Sequence, residues 1–276
     1  MKKDVEGLKY TDKKGFAFFD LDYTLIPHDT QLLFCNYVLR KKPFRVFYAL
    51  FFFPALLLGA LRILRSEGLK KTFLSFLWGI SRNELDSLAA AFVKEEVLPA
   101  VYPDLLAEVE THKKEGRVTI LNTASPEIYA RHIARELGFD HCHATVVKIG
   151  ERMPLLPSFP ERNNKRYVKL VSMRELLPKE MKKNIPEDPK QAEKSDTNGP
   201  KIPNSYAYSD SPADLPMLQI AESVTLVHPE SSDLLRLAKK NGWRILRPER
   251  PYKNSLENHF NNFKQAFGLY RRSAKK

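Results

Sequence analysis

The sequence predicts an α/β fold, a doubly wound parallel sheet carrying an inserted all-helical cap. Three observations predict it. From about residue 105 onward, short apolar runs alternate with helical patterns, as expected of parallel strands covered by helices on both faces. Two apolar runs, 15–19 and 205–209, each deliver an aspartate at their end. Residues from about 31 to 100 read as helical throughout and interrupt the alternation.

In chain order, Gly15-Phe16-Ala17-Phe18-Phe19 is too short and too apolar for a surface helix and reads as a buried parallel strand. Residues 31–40 form a plausible helix, 46–61 are nearly continuous apolar sequence broken by Pro54, and 73–97 form an amphipathic helix ending near Pro99. A helix over 105–114, a strand over 117–122 and a helix over 126–137 follow. Another helix is expected over 164–177. The rest reads as strand 205–209, helix 214–221, strand 224–227, helix 232–240 and strand 244–246. Prolines 178, 186, 189, 200 and 203 stand among many Lys and Glu, so 178–204 is expected to be a polar mobile loop. The organisation is therefore a core of 1–30 and 101–276, with 31–100 as the helical cap.

Hydrophobic residues make up 43% of the 276, enough for a core, and the 28% charged residues do not point to wholesale disorder. The net charge of +12 favours anionic partners: phosphorylated metabolites, nucleic acid or an acidic membrane surface. Clusters such as Arg40-Lys41-Lys42 fit an ordinary solvated surface equally well, and nucleic-acid binding, resting on charge alone, is not expected. Cys35 and Cys142 form neither a disulfide framework nor a zinc spacing, which fits a reducing, cytoplasmic setting. The charged stretch 1–11 lacks the features of a signal peptide.

The strongest local signal is Asp20-Leu21-Asp22-Tyr23-Thr24. Two carboxylates directly after a buried strand can reach one centre, where ligands of open parallel sheets gather. One carboxylate can attack phosphorus, and a second can exchange protons with the leaving group and water. A helix-capping aspartate turn would use the same residues. Asp210 and Asp214 sit four apart after the 205–209 strand and offer hard oxygen ligands for magnesium, or caps for the following helix. Thr123-Ala124-Ser125 ends another strand, where a hydroxyl and backbone N–H groups can meet a phosphate or simply cap a helix. Lys165 at a helix start could neutralise a phosphate, or be one solvated lysine among many.

Taken together, DxDxT, a Thr turn, a lysine and Asp-x-x-x-Asp in this order resemble the haloacid dehalogenase superfamily, and in detail its phosphoserine-phosphatase-like branch. The resemblance runs from about Gly15 to Leu246 and includes Ala134-Arg135-Glu136-Leu137-Gly138. It implies a Rossmann-like core and a magnesium-dependent phosphomonoesterase. Asp20 would be the nucleophile and Asp22 the general acid and base. Thr123, Ala124 and Lys165 would hold the phosphate. Asp20, the Asp22 carbonyl, Asp210 and, in support, Asp214 would hold Mg2+, and Asp29 would face the substrate. Two departures set the chain apart from phosphoserine phosphatases. Thr-Ala-Ser replaces Ser-Gly-Gly, and no cap arginine matches a serine carboxylate, with Arg62 and Arg65 as candidates. The alternatives are phosphoryl transfer to an alcohol, and a retired, membrane-associated binding protein.

The apolar run 46–61 falls short of the ~20 residues of a spanning helix and is flanked by Arg40, Lys41, Lys42 and Arg45 on one side and Arg62 and Arg65 on the other. It fits a buried helical hairpin, an element lying in an anionic membrane interface, or a span. The interfacial arrangement would suit a lipid phosphate substrate and a peripheral place on the cytoplasmic membrane face.

Overall fold

The computed structural model describes residues 15–194 and 201–272. The stretch 1–11 and the centre of the expected polar loop, 195–200, lie outside the described residues. Strands β1 (Phe16–Phe19), β2 (Val118–Pro126), β3 (His141–Thr145), β4 (Ile202–Ser209), β5 (Ala221–Val227) and β6 (Arg244–Leu246) form one sheet in the order β3-β2-β1-β4-β5-β6. All neighbours are parallel. The chain lays strands outward on one side of β1 and then outward on the other, so strand order reverses at β1, where crevices open at the carboxyl ends. Phe19 is level with both Leu121 and Tyr208, which brings the ends of β1, β2 and β4 together.

Alternation along each strand feeds two cores. Phe18, Ile120 and Ala207 pack into one layer, while Ala17, Phe19, Leu121 and Tyr208 face the other. Gly15 starts β1 at φ +131°, and a Cβ there would overlap the Asn204 carbonyl, so only glycine lets β1 begin this close to β4.

Every described element between β1 and β2 is helical apart from turns. α1 (Thr30–Lys41) is capped by Asp29, and a 3-10 stretch over Pro43–Tyr48 runs into α2 (Ala49–Ala60). α3 (Ser66–Phe73) and α4 (Arg82–Phe92) complete the insert, with Ser81 capping α4. Phe34, Phe76 and Phe92 of the insert join the core layer that also holds Phe19, so the insert is packed onto the sheet domain. Asp86 on α4 also accepts from Arg131 and His132 of the sheet domain.

The sheet is covered by α5 (Pro103–Lys114), α6 (Glu127–Glu136), α7 (Val168–Ser172), α8 (Lys179–Lys182), α9 (Leu215–Ile220) and α10 (Ser232–Asn241), and α11 (Ser255–Ala266) follows. Four features depart from the sequence reading. The single helix expected over 73–97 is broken: a 3-10 turn (Leu74–Leu77) and non-helical residues 78–81, with Gly79 at positive φ, precede α4. The helix expected over 164–177 is confined to α7 and a 3-10 turn, because Arg162 and Arg166 take positive φ and the chain cannot turn helical before them. The expected mobile loop 178–204 is partly ordered: α8 and a 3-10 turn (Pro189–Lys194) lie in it, and Met181 and Ile185 are buried against the sheet. β3 and α11 lacked strong apolar periodicity and were not anticipated. α11 packs along α1, and Asn36 on α1 exchanges two hydrogen bonds with the Tyr270 backbone at 3.2 and 3.1 Å.

Candidate active site

The turn after β1 is tight. The N–H groups of Thr24, Leu25 and Ile26 all donate to the Leu21 carbonyl at 3.2, 2.9 and 3.3 Å, and Tyr23 takes φ +57°. This folding places the Asp20 and Asp22 side chains on one side of the strand end. The Asp20 N–H donates to the Tyr208 carbonyl at 3.0 Å, tying the turn to β4.

Four acidic residues from two distant parts of the chain meet here. Lys169 in the first turn of α7 bridges Asp20 Oδ1 and Asp214 Oδ1, each at 2.7 Å from Nζ. Thr24 Oγ1 lies 3.3 Å from both Asp20 Oδ2 and Asp210 Oδ1, and accepts from the Asp210 N–H at 3.0 Å. Ser209 donates to the other Asp214 oxygen at 2.7 Å, so both Asp214 oxygens are committed. Asp22 stands apart from this ion pair. Its Oδ1 accepts from the Thr30 N–H at 2.9 Å and hydroxyl at 2.5 Å, and its Oδ2 accepts from Ser125 at 2.7 Å.

Burial dominates the electrostatics. It pushes Asp20 up to about 7; the Lys169 ammonium opposes this, and the charges of Asp214 and Asp22 add to it. Asp22 rises to about 6, through burial and the Asp29 charge, against its hydrogen bonds to Thr30 and Ser125. Asp210 is raised well above the carboxylate range by burial, Asp20 and Asp214. Burial works against the Lys169 ammonium, but Asp20 and Asp214 outweigh it and hold the amine charged. One ammonium among so many buried carboxylates leaves negative charge uncompensated, a setting that a hard divalent cation relieves. Among the described residues no three His, Cys, Asp or Glu side chains close around an ion by themselves. Asp20 and Asp210, linked through Thr24, could hold such a cation.

The sequence-predicted phosphate residues divide. Thr123 is buried, and its Oγ1 accepts from the Ser125 N–H at 3.0 Å, forming a local turn at the end of β2. The Ala124 carbonyl accepts from Lys70 and, at 2.6 Å, from Thr145. Lys165 is exposed, and Lys169 occupies the place expected for it: the helix begins only at Val168, and its first turn, not residue 165, points at Asp20. Asn122 donates to the Lys169 carbonyl at 2.9 Å, and Asn164 donates to Asn122 at 2.8 Å, fixing that turn against β2. Asp29 caps α1, accepting from the Gln31 and Leu32 N–H groups at 2.9 and 3.0 Å, while its charge is still felt at Asp22.

Lys70 on α3 was missed in the sequence. It reaches from the helical insert to the Ala124 carbonyl and to Asn163 Oδ1 at 2.9 Å. Burial lowers it to about 8, with Asp22 and Asp29 pulling the other way. Nothing in its local sequence marks it out from Lys71; only the approach of α3 to the end of β2 does.

Residues 17–219 match the family model described as haloacid dehalogenase-like hydrolase. A protein of Mycobacterium tuberculosis named as a probable phosphatase is 28% identical over 85% of this chain and 76% of its own length. A histidinol-phosphatase of Neisseria meningitidis serogroup C is 24% identical over 84% of this chain and 98% of its own. A crystal structure of a protein of unknown function from Bordetella pertussis Tohama I has the same fold, with a TM-score of 0.65 at 22% identity over 85% of this chain and 98% of its own. The strand-end aspartates, the bridging lysine and the matched span lead to one conclusion: the chain belongs to the haloacid dehalogenase-like hydrolases.

Proposed function

We propose that this chain is a magnesium-dependent phosphomonoesterase that works through an aspartyl-phosphate on Asp20, with a small-molecule or lipid phosphate as substrate. The observation that carries the proposal is the meeting of Asp20, Asp210 and Asp214 around Lys169 and Thr24. A carboxylate oxygen of Asp20 attacks phosphorus as the bond to the leaving oxygen breaks, and Asp22 gives that oxygen its proton. Asp22, now ionised, takes a proton from water; the water oxygen attacks phosphorus, the acyl-phosphate bond breaks, and Asp20 is regenerated with release of inorganic phosphate. Ser125 and Thr30 hold the Asp22 carboxyl in place for both transfers.

Lys169 orients Asp20 and supplies positive charge beside the transferring group. Asp214 anchors Lys169, and Thr123 and Ala124 line the phosphate end of β2. Asp20 and Asp210, with the Asp22 carbonyl, would hold Mg2+, which when bound neutralises phosphoryl charge and the carboxylate cluster. Residues 31–100 act as a cap over this site, with Lys70 as the cap's cation nearest it. Asp29, the cap of α1, faces the substrate in this reading, its charge reaching Asp22. The histidinol-phosphatase of Neisseria meningitidis names one class of small phosphomonoester for comparison. A peripheral place on the cytoplasmic face of a membrane is part of the reading.

The test is phosphate release across a panel of soluble and lipid phosphomonoesters, with Mg2+ and with a chelator, and with an added acceptor alcohol. Metal-dependent release of inorganic phosphate is expected. Release unaffected by the chelator would contradict the metal assignment, quantitative transfer to the alcohol would make the enzyme a transferase, and no turnover on any substrate would leave a binding protein.

A further inference from the structure

The apolar run that the sequence left open is not buried in a hairpin. Pro43–Ala60 is the one stretch among the described residues long and apolar enough to cross a membrane by length and composition, yet only 11% of it is buried. It lies along the insert instead. Tyr48, Phe52 and Ala55 face inward, with Tyr48 against Phe73 and Phe76 and its hydroxyl donating to the Ala266 carbonyl at 2.7 Å. Phe47, Leu50, Phe51, Leu57 and Leu61 face outward.

A second element continues the same face. Phe53 stacks on Phe267 at 5.7 Å, and Phe267 packs on Phe263 at 4.9 Å. Along α11, Leu256 (82% exposed), Phe260 (57%) and Phe263 (56%) recur at helical spacing on the outward side. Two segments some 200 residues apart in sequence thus build one exposed apolar surface, and such surfaces mark interaction sites.

Charge selects the occupant. Between Asp29 and Glu67 the chain has six basic residues and no acidic one. Lys42, Lys41 and Arg40 pair with Glu84, Glu95 and Glu96, but Arg62 and Arg65, at the far end of α2, are exposed and form no ion pair among the described residues. Lys264 lies over the Phe260 ring, its amine 4.4 Å from the centroid, and Lys253 and Arg271 flank α11. Large apolar side chains rimmed by lysine and arginine match the boundary between acyl chains and anionic headgroups.

We propose that α2 and α11 together form a docking face for an anionic lipid bilayer, lying in the interface rather than spanning it. A span would have to pull Tyr48, Phe52 and Ala55 out of the insert. The opposite side of α11 touches the catalytic turn: Asn262 donates to the Tyr23 hydroxyl at 3.1 Å, one residue from Asp22. Docking therefore sets the active site about one helix diameter, ~10 Å, from the bilayer surface. Resting on the phosphatase reading, this makes phosphomonoesters carried at the headgroup level the substrate class.

The test is flotation of the full chain with phosphatidylcholine vesicles that contain or lack phosphatidylglycerol, beside turnover of a water-soluble phosphomonoester. Binding to the anionic vesicles that weakens with salt is expected. Phe51→Ser with Phe260→Ser should lower it about tenfold while soluble turnover and the thermal midpoint stay unchanged, and Arg62→Gln with Arg65→Gln should separately lower it about tenfold. Absence of vesicle binding, or binding indifferent to both charge and these substitutions, overturns the proposal. So does a concentration-dependent dimer abolished by Phe51→Ser with Phe260→Ser, which would mean a second copy covers the face. Vesicle binding without any hydrolysis would instead remove the phosphatase reading and leave the docking face standing.

Discussion

The two sides of Asp20 are built on different principles. On one side Asp20, Asp210, Asp214, Lys169 and Thr24 form a mostly buried knot of charge in which the Asp214 and Lys169 side chains are tied to neighbours, and every member comes from the sheet domain. On the other side Asp22 is held by hydroxyls, Ser125 from β2 and Thr30 at the start of α1 where the insert begins, and Lys70 of the insert closes in on the end of β2. The first side is tied within the sheet domain and, on the proposed function, serves chemistry common to many substrates. The second is shared between two parts of the molecule, so substrate identity can be read there without disturbing the first.

The largest effect that would break this division is at Asp20. Asp20→Asn should lower turnover by roughly four or more orders of magnitude with the thermal midpoint nearly unchanged, as checked by steady-state kinetics beside a melt. Next is Lys169→Met, which strands Asp20 and Asp214 in a buried setting and should cost about 3–5 kcal/mol of stability by urea unfolding. Lys165→Met, at an exposed position, should stay within about 0.5 kcal/mol and keep its turnover. Equal effects of the two would return the phosphate-side role to Lys165.

Lys70 sharpens the other side. Lys70→Met should raise KM about tenfold or more while kcat changes little, since it removes one charge-assisted contact. With the amine lowered to about 8, Lys70 is charged below that pH and neutral above it. Attraction for an anionic substrate is thus present below pH 8 and lost as pH rises through it, so the wild-type KM should climb there and the Lys70→Met profile should lack that step. The smallest effect is at Asp29. Asp29→Ala should cost about 1 kcal/mol through the lost cap, and Asp29→Asn only a few tenths. A fall in turnover for Asp29→Asn at unchanged stability would show that its charge serves the substrate.

Much of the sheet domain was legible because parallel strands buried on both faces leave unbroken apolar runs, as at Phe16–Phe19. The edge strand β3, His141–Thr145, carries two histidines and is half-buried, so it left no such trace. Asp20 and Asp210 were legible because each follows a strand directly, and Asp22 and Asp214 because they stand two and four residues beyond those. Lys169 was not, because its position depends on where α7 begins, and that is set by positive φ at Arg162 and Arg166 and by the Asn122–Asn164 bond. Lys70, Thr30 and Ser125 act through contacts between the insert and β2, which spacing along one chain does not encode. The α2 run was visible as apolar, but its partner face on α11 appears only once Phe53 is seen against Phe267.

Covalent capture at Asp20 tests the central claim most directly. The Asp22→Asn variant, slowed in the second step, is mixed with substrate and Mg2+, quenched in acid, digested and weighed by mass spectrometry. A phosphoryl increment on the peptide containing Asp20, absent when Asp20→Asn is added, is the expected result. A phosphoryl group on another residue, or turnover retained in Asp20→Asn with no labelled peptide, would contradict the account.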